Sequence, residues 1–342
     1  MIIRSQAPLR IGLAGGGTDV GPYSDIYGGC ILNATINKYA YATIIPRRDG
    51  KIVLSAMDKK ETVELDSTSK LEIDGTLDLL KGVYNRIIKD FNHNAPLSFE
   101  LNTYVDAPPG SGLGSSSTLV VAIVGAFTEW LRLPLGEYDI AHLAYDIERK
   151  DLAMAGGKQD QYAATFGGWN FMEFYKDDKV IVNPLRIRPN YLKELEFNIV
   201  MYYTGTSRLS STIIEAQSAN VSKKSDKSIE AMHNLKEQSY MMKEAILKGE
   251  LNRIGDILDF GWKNKKATAV GVSSDVIDNI YESAIKAGAT GGKISGAGGG
   301  GFMTFYCPGN TRYKVINVLN TFGGEVHNIE FSQYGLTSWE AK

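Results

Sequence analysis

Asp106-Ala-Pro-Pro-Gly-Ser-Gly-Leu-Gly-Ser-Ser-Ser-Thr118 is a turn crowded with glycines and hydroxyls that runs straight into an apolar stretch, Thr118 to Trp130. Gly110, Gly112 and Gly114 carry no side chain that would hold an anion off the backbone, and glycine reaches the positive φ angles a tight cradle requires. Ser115 and Ser116 open the following helix, whose unpaired N–H groups and positive dipole end face the turn. The expected occupant is phosphate. A flexible Gly/Ser linker would account for the glycines, but not for Pro108 and Pro109 stiffening the approach, nor for three serines in the first helical turn.

Outward from this turn, the composition bounds the rest. A chain of 342 residues with 43% hydrophobic and 22% charged residues suits a soluble protein of about two domains. Lysine plus arginine (37) nearly balance aspartate plus glutamate (39), so no overall field selects nucleic acid or an anionic membrane as partner. Two cysteines, Cys30 and Cys307, make no disulfide framework, and the opening Met-Ile-Ile-Arg-Ser-Gln-Ala-Pro lacks both parts of a secretory signal. The expected compartment is the cytoplasm, and a homodimer is compatible with the sequence.

Periodicity predicts strands at Ile2 to Ala7, Leu9 to Ala14, Cys30 to Ala34, Tyr39 to Ile45 and Ile52 to Ser55, a helix from Leu77 to Phe91, and a strand from Leu97 to Val105 that delivers the chain to the glycine turn. A helix over Tyr138 to Asp151 carries Glu148 near its end, and a hairpin follows from Asn170 to Ile187, turning at Asp177-Asp178. The boundary is expected around Arg188-Pro189-Asn190, dividing the chain into 1–188 and 189–342. A strand from Phe197 to Tyr203 opens the second part, helices follow over Ser210 to Ser218, Ser228 to Lys248, Glu250 to Gly261 and Ser274 to Gly288, and a strand runs from Phe302 to Cys307.

Two further glycine segments, Gly12 to Asp19 and Gly291 to Gly301, share the chain, and together the three imply converging backbone walls. Familiar nucleotide motifs fail. Lys293 is followed by Ile294, so no Walker-type loop exists, and Gly12-Leu-Ala-Gly-Gly-Gly17 lacks the opening of a dinucleotide fingerprint. Ribokinase-like sugar kinases end in Gly-Ala-Gly-Asp, whereas Gly296-Ala-Gly-Gly299 has glycine where that acid belongs.

What fits is the triad Ala7-Pro-Leu-Arg-Ile-Gly-Leu-Ala-Gly-Gly-Gly-Thr-Asp19, Pro108-Pro-Gly-Ser-Gly-Leu-Gly-Ser-Ser-Ser117 and Lys293-Ile-Ser-Gly-Ala-Gly-Gly-Gly-Gly301. In order and spacing it resembles the galactokinase, homoserine kinase, mevalonate kinase and phosphomevalonate kinase (GHMP) superfamily over nearly the whole chain. The wording Leu13-Ala-Gly-Gly-Gly-Thr-Asp-Val20, Gly157-Lys-Gln-Asp-Gln-Tyr-Ala-Ala164 and Phe166-Gly-Gly168 is most similar to bacterial D-glycero-D-manno-heptose 7-phosphate kinases. The resemblance implies a two-domain α+β fold, with a ribosomal-protein-S5-like N-terminal domain and a ferredoxin-like C-terminal domain around a cleft. It implies ATP and Mg2+, and phosphorylation of the anomeric hydroxyl of heptose 7-phosphate on the way to nucleotide-activated heptose and surface glycans. Another sugar as acceptor (fucose, galactose or unphosphorylated heptose) and a non-catalytic sugar sensor of the same fold are the alternatives.

Site residues follow from what phosphoryl transfer needs, which is positioning and charge neutralisation. The nucleotide is expected on Pro109, Gly110, Ser111, Gly112, Leu113, Gly114, Ser115, Ser116 and Ser117. By resemblance Ser116 and Glu148 hold the magnesium; the plain alternatives are an N-cap for Ser116 and a solvated helix-end carboxylate for Glu148. Asp160 is expected as base, against a helix cap, and by resemblance Arg10 is the cation that keeps it ionised, against a structural ion pair. The resemblance also implies that Thr18 and Asp19 are sugar-hydroxyl ligands, and Gly17, Gly168 and Gly298 are assigned to the same pocket. Many family members read Gly-Glu-His-Thr-Asp where this chain has Gly15-Gly-Gly-Thr-Asp19, which removes two polar side chains and leaves room for a bulkier sugar. For the sugar's own phosphate Arg208 is the candidate, ahead of Lys158 and of Lys263, Lys265 and Lys266, since a lysine run is usually a solvated face. His93, His142, His233 and His327 show no metal spacing and are assigned nothing.

Overall fold

A computed structural model describes residues 1–205 and 210–342, so the expected site residue Arg208 lies outside the described residues. Its elements in order are β1 (Ile2–Ala14), α1 (Tyr23–Tyr27), β2 (Gly29–Pro46), β3 (Lys51–Ala56), β4 (Glu61–Asp66), α2 (Asp78–Phe91), β5 (Phe99–Val105), α3 (Ser115–Leu131), α4 (Glu137–Asp146), α5 (Gln159–Phe166), β6 (Trp169–Phe174) and β7 (Val180–Pro184). Then come α6 (Pro189–Asn198), β8 (Ile199–Tyr203), α7 (Ser210–Ser222), α8 (Asp226–Lys248), α9 (Ile254–Thr268), α10 (Asp275–Lys286), β9 (Gly291–Ile294), β10 (Phe302–Tyr306), α11 (Arg312–Leu319), β11 (Glu325–His327) and β12 (Thr337–Ala341).

The first sheet has eight strands, in the path β12-β1-β2-β5-β3-β4, with β6 on β2 and β7 on β6; β3 and β5 run parallel. Two pairs of expected strands are single long ones. Pro8 sits at a register shift between Pro8 and Arg10, where the missing N–H breaks no ladder bond, so β1 runs on. Strand β2 changes partner midway: residues 29–34 pair with β6 and residues 40–46 with β5. Helix α3 is apolar on every side, and Val120, Val121, Ala122, Ile123 and Val124 are fully buried against β1 and β2, as a helix without a polar face must be.

The second sheet is wholly antiparallel, in the order β11-β8-β10-β9. Counted from β8 that is the ferredoxin-like 4-1-3-2 order, with α7 to α10 between its first two strands. Residues 189–198 form a helix because Pro189 pre-sets the first turn, so the strand expected from Phe197 starts at Ile199. The expected C-terminal unit, 189–342, is corrected at its end: β12 returns to the first sheet and pairs with β1 from Gln6–Thr337 to Ile2–Ala341. One apolar core also runs through both parts, joining Leu13, Leu32 and Ile123 with Ile199, Met242, Ile246 and Ile257. Among the described residues no helix is long and apolar enough to cross a membrane.

Candidate active site

The glycine turn leaves β5 and ends at α3. Gly110, Gly112 and Gly114 have φ of 73°, 82° and 78°, the left-handed conformations only glycine adopts without strain. Gly112 is held by a second constraint, since a Cβ there would stand 2.5 Å from the Ser295 carbonyl oxygen. The third glycine segment is therefore the backing of the turn: the Phe302 amide donates to the Ser111 carbonyl at 2.9 Å. Two glycine segments pack main chain on main chain, and that close approach is why both are glycine.

Arg10 of β1 ties this turn to α5. Its Nε donates to Asp160 Oδ1 at 2.7 Å, its Nη1 donates to the Gly112 carbonyl at 2.6 Å, and its own amide donates to the Leu113 carbonyl at 3.2 Å. The Arg10 side chain is 4% exposed and that of Asp160 21%, so the carboxylate is the more open member of the pair. Asp160 lies in the first turn of α5 and against the glycine turn, where a Cβ on Gly114 would stand 2.9 Å from its Cγ. A carboxylate 46 positions beyond Gly114 thus faces the place where a phosphate on the turn would lie.

Around it opens a cavity of about 530 Å3, lined by Arg10, Gly17, Asp19, Gly110, Gly112, Gly114, Ser115, Ser116, Ser117, Glu148, Asp160 and Lys265 among others. Asp19 caps α5: its Oδ2 accepts from the Lys158 amide at 2.8 Å and the Gln159 amide at 3.0 Å, while Oδ1 is buried without a partner. Burial pushes the Asp19 carboxyl above its ordinary range, with the Gln159 amide opposing. Gly157 leaves the room, since a Cβ there would stand 1.9 Å from Asp19 Oδ2.

Glu148 overturns the solvated-carboxylate reading. Helix α4 passes at Ile147–Asp151 into a π-helical turn, a distortion that recurs at functional sites, and Glu148 is 1% exposed on it. Gln161 Nε2 donates to Glu148 Oε2 and, at 3.1 Å, to Ser117 Oγ, so one amide bridges the carboxylate to the first turn of α3. Glu148 Oε1 is buried with no hydrogen-bond partner, and burial raises its pKa. A buried carboxylate oxygen with no hydrogen bond, its charged neighbour Arg149 Nη1 at 3.7 Å, on the wall of a cavity that Ser116 also lines, suits a hard cation that takes its other ligands from water and phosphate. The donor set therefore fits magnesium.

Other expected residues fall elsewhere. Thr18 is fully buried; its hydroxyl donates to the carbonyls of Gly15 (2.8 Å) and Cys30 (2.9 Å) and accepts from the Cys30 amide, so it holds the first glycine segment to β2 and does not line the cavity. Gly168 bonds Thr35 at the start of β6, and Gly298 packs on Val272; neither lines the cavity. Pro109 is exposed at the rim, whereas Ser111 and Leu113 are fully buried beneath the turn. Lys158 is spent on Asp178, at 3.0 Å, and Asp25.

Lys265 contradicts the expectation of a solvated lysine face. It is 3% exposed and lines the cavity, while the Lys263 side chain is 71% exposed. The signal was present: Leu258, Trp262 and Lys265 recur at i, i+4 and i+7, the buried stripe of α9, and Lys263 and Lys266 fall off it. Gln161 and Lys293 left no such signal.

The GHMP kinases N terminal domain family matches residues 78–168, and the GHMP kinases C terminal family matches residues 242–324. Over 337 residues the chain is 50% identical to a D-glycero-alpha-D-manno-heptose 7-phosphate kinase of Campylobacter jejuni, covering 98% of both sequences. Among solved structures, a D-glycero-D-manno-heptose 1-phosphate kinase from Bacteroides thetaiotaomicron superposes with a TM-score of 0.84 at 47% identity, covering 99% of each chain. A sugar kinase structure from Campylobacter jejuni superposes with a TM-score of 0.82 at 49% identity, covering 99% of this chain and 98% of that one.

Proposed function

The chain belongs to the GHMP kinase family, phosphotransferases that pass a phosphoryl group from ATP to an alcohol, and from that premise we propose that its acceptor is the anomeric hydroxyl of D-glycero-D-manno-heptose 7-phosphate. The observation that carries the reading is the Asp160 carboxylate, fixed by Arg10 and seated against Gly114 of the phosphate turn. The named relative, half identical over almost the full length, supports the choice of sugar.

In this reading the turn amides and the α3 N-terminus bind the triphosphate. The sugar's O1 attacks the γ-phosphorus, the bond from that phosphorus to the β-bridging oxygen breaks, and the O1 proton passes to Asp160. Arg10 orients Asp160 through its Nε hydrogen bond and offsets charge on the transferring group. Asp19, with one oxygen bound to α5 amides and the other free, accepts from sugar hydroxyls. Ser116 and Glu148 would hold Mg2+, which supplies charge neutralisation of the phosphates when bound. The product is the 1,7-bisphosphate, a precursor of nucleotide-activated heptose for surface glycans, made in the cytoplasm.

ATP's base needs an apolar slot next to the turn. A second cavity of about 390 Å3, lined by Ile73, Leu77, Leu79, Leu80, Leu119 and Leu152 with Asp58, Lys59, Glu61 and Asp78 among the rest, shares Met154 with the first. We assign it to adenine. Leu79→Trp, at a half-buried position on its wall, is expected to raise the KM for ATP by about tenfold or more while leaving the KM for the sugar unchanged, as steady-state kinetics will read.

The direct test of the proposed activity is ADP release over a panel of sugars and sugar phosphates, with phosphorus NMR locating the new ester. Turnover of heptose 7-phosphate with a new anomeric phosphate is the expected result. Preference for fucose, galactose or unphosphorylated heptose refutes the assignment, and ligand-induced stabilisation without ADP release supports the sensor alternative.

A further inference from the structure

The first glycine segment reads Gly15-Gly16-Gly17-Thr18-Asp19, with no side chain at positions 16 and 17. The space at Gly16 has an unusual wall. A Cβ on Gly16 would meet two atoms within 4 Å, Lys265 Nζ and Lys293 Nζ, each at 3.7 Å, and the Gly16 φ lies outside the left-handed region. Nothing in the backbone or packing demands glycine here. What the glycine does is leave a side chain's volume open in front of two ammonium groups.

Both lysines are buried, Lys265 at 3% and Lys293 at 6% exposure. Lys265 Nζ donates to the Gly16 carbonyl at 3.3 Å and Lys293 Nζ to the Gly12 carbonyl at 2.7 Å, so each ammonium has donors unspent. Among the described residues neither has a carboxylate within ion-pair distance. Of the carboxylates close by, Asp160 is paired with Arg10, while Asp19 gives Oδ2 to the α5 amides, leaves Oδ1 without a hydrogen bond and favours the charged form of Lys265 only through space. Arg10 and Lys265 thus line the cavity beside Asp160 and Asp19, and Lys293 stands behind them against Gly12 and Gly16 as a third cation. Burial lowers Lys265 to about 8 and, with the neighbouring cations, holds Lys293 well below its ordinary value, an arrangement that costs stability until an anion arrives.

We propose that Lys265 and Lys293 form the receptor for the acceptor's own phosphate, a phosphomonoester dianion seated over Gly16 where the side chain is missing. The inference rests on the heptose 7-phosphate reading above and adds the residues that recognise the phosphate. Both lysines touch the first glycine segment, Gly12 to Gly16, and not the 110–117 turn, so the group they hold belongs to the sugar and not to ATP. An acceptor with a phosphate at one end and its reacting hydroxyl at Asp160 would be gripped at both.

The test uses the full chain with heptose 7-phosphate and unphosphorylated heptose as paired acceptors. Lys265→Met is expected to raise the KM for the 7-phosphate by about tenfold to a hundredfold, the usual loss for a charge-assisted contact, and by far more than it raises the KM for unphosphorylated heptose or for ATP. Gly16→Glu places a carboxylate between the two ammonium groups; it is expected to raise the thermal midpoint while abolishing the preference for the phosphorylated acceptor. Wild-type preference that survives both substitutions, or an equal loss on both acceptors, overturns the receptor and leaves the acceptor assignment standing. Wild-type enzyme with no preference for the 7-phosphate overturns both. A rise in the KM for ATP in Lys265→Met as large as that for the 7-phosphate assigns the pair to the nucleotide and also refutes the proposal.

Discussion

Asp160→Asn is expected to lower kcat by about 10²- to 10⁴-fold, the usual contribution of a positioned base, with ATP affinity preserved. The substitution keeps shape: Asn Oδ1 still accepts from Arg10 Nε, and the packing of residue 160 on Gly114 is unchanged. The phosphate turn is held by Gly112, Leu113 and the third glycine segment, none of which depends on the charge at position 160. Binding of a non-hydrolysable ATP analogue should therefore match wild type while single-turnover transfer collapses. Transfer at the wild-type rate would remove Asp160 as base and leave it a positioning group for the acceptor.

Glu148→Gln is expected to move stability and activity in opposite directions. Burial holds this carboxyl above its ordinary value of 4.5, so the folded chain binds a proton more tightly there than the unfolded chain does. Stability from this group is complete below pH 4.5 and declines as pH rises through the raised folded value, so at neutral pH its charge destabilises the fold. Glutamine removes the charge at the same shape. Each pKa unit relieved is worth about 1.4 kcal/mol, and the thermal midpoint should rise by about 2 °C or more at pH 7. Loss of the carboxylate should at the same time weaken Mg2+ dependence and lower kcat by on the order of a hundredfold, since a catalytic metal supplies several kcal/mol. Magnesium with a non-hydrolysable ATP analogue should raise the wild-type midpoint and leave the variant's unchanged. A variant with wild-type kcat and an undiminished magnesium effect would show that Glu148 is not a ligand.

The two substitutions probe residues of different legibility. Asp160 stands in a polar, glycine-flanked segment that invites a catalytic reading, and its counterpart Arg10 stands on a strand beside a glycine run. For Glu148 the sequence shows a charged helix end beside Arg149, which ordinarily means solvent; the π-helical turn that carries it inward has no composition of its own. Lys265 lay between these cases, readable on the buried stripe of α9 yet hidden by lysine neighbours that are surface residues. Thr18 went the other way: a hydroxyl beside a ligand-like aspartate is drawn into the main chain of β2, because the buried Cys30 carbonyl and amide need partners.

The local backbone devices can be read along the chain: three glycine segments, a helix opening on serines, and alternating strands that lead to them. These are legible because positive φ, helix N-termini and apolar periodicity depend on neighbours a few residues away. Only the tertiary structure decided which charges meet. Lys265 and Lys293 reach the first glycine segment across 249 and 281 positions, Arg10 meets Asp160 across 150, and β12 returns to β1 from the far end of the chain. Burial and electrostatics at such separations depend on how whole faces pack, and no spacing within the sequence encodes that distance.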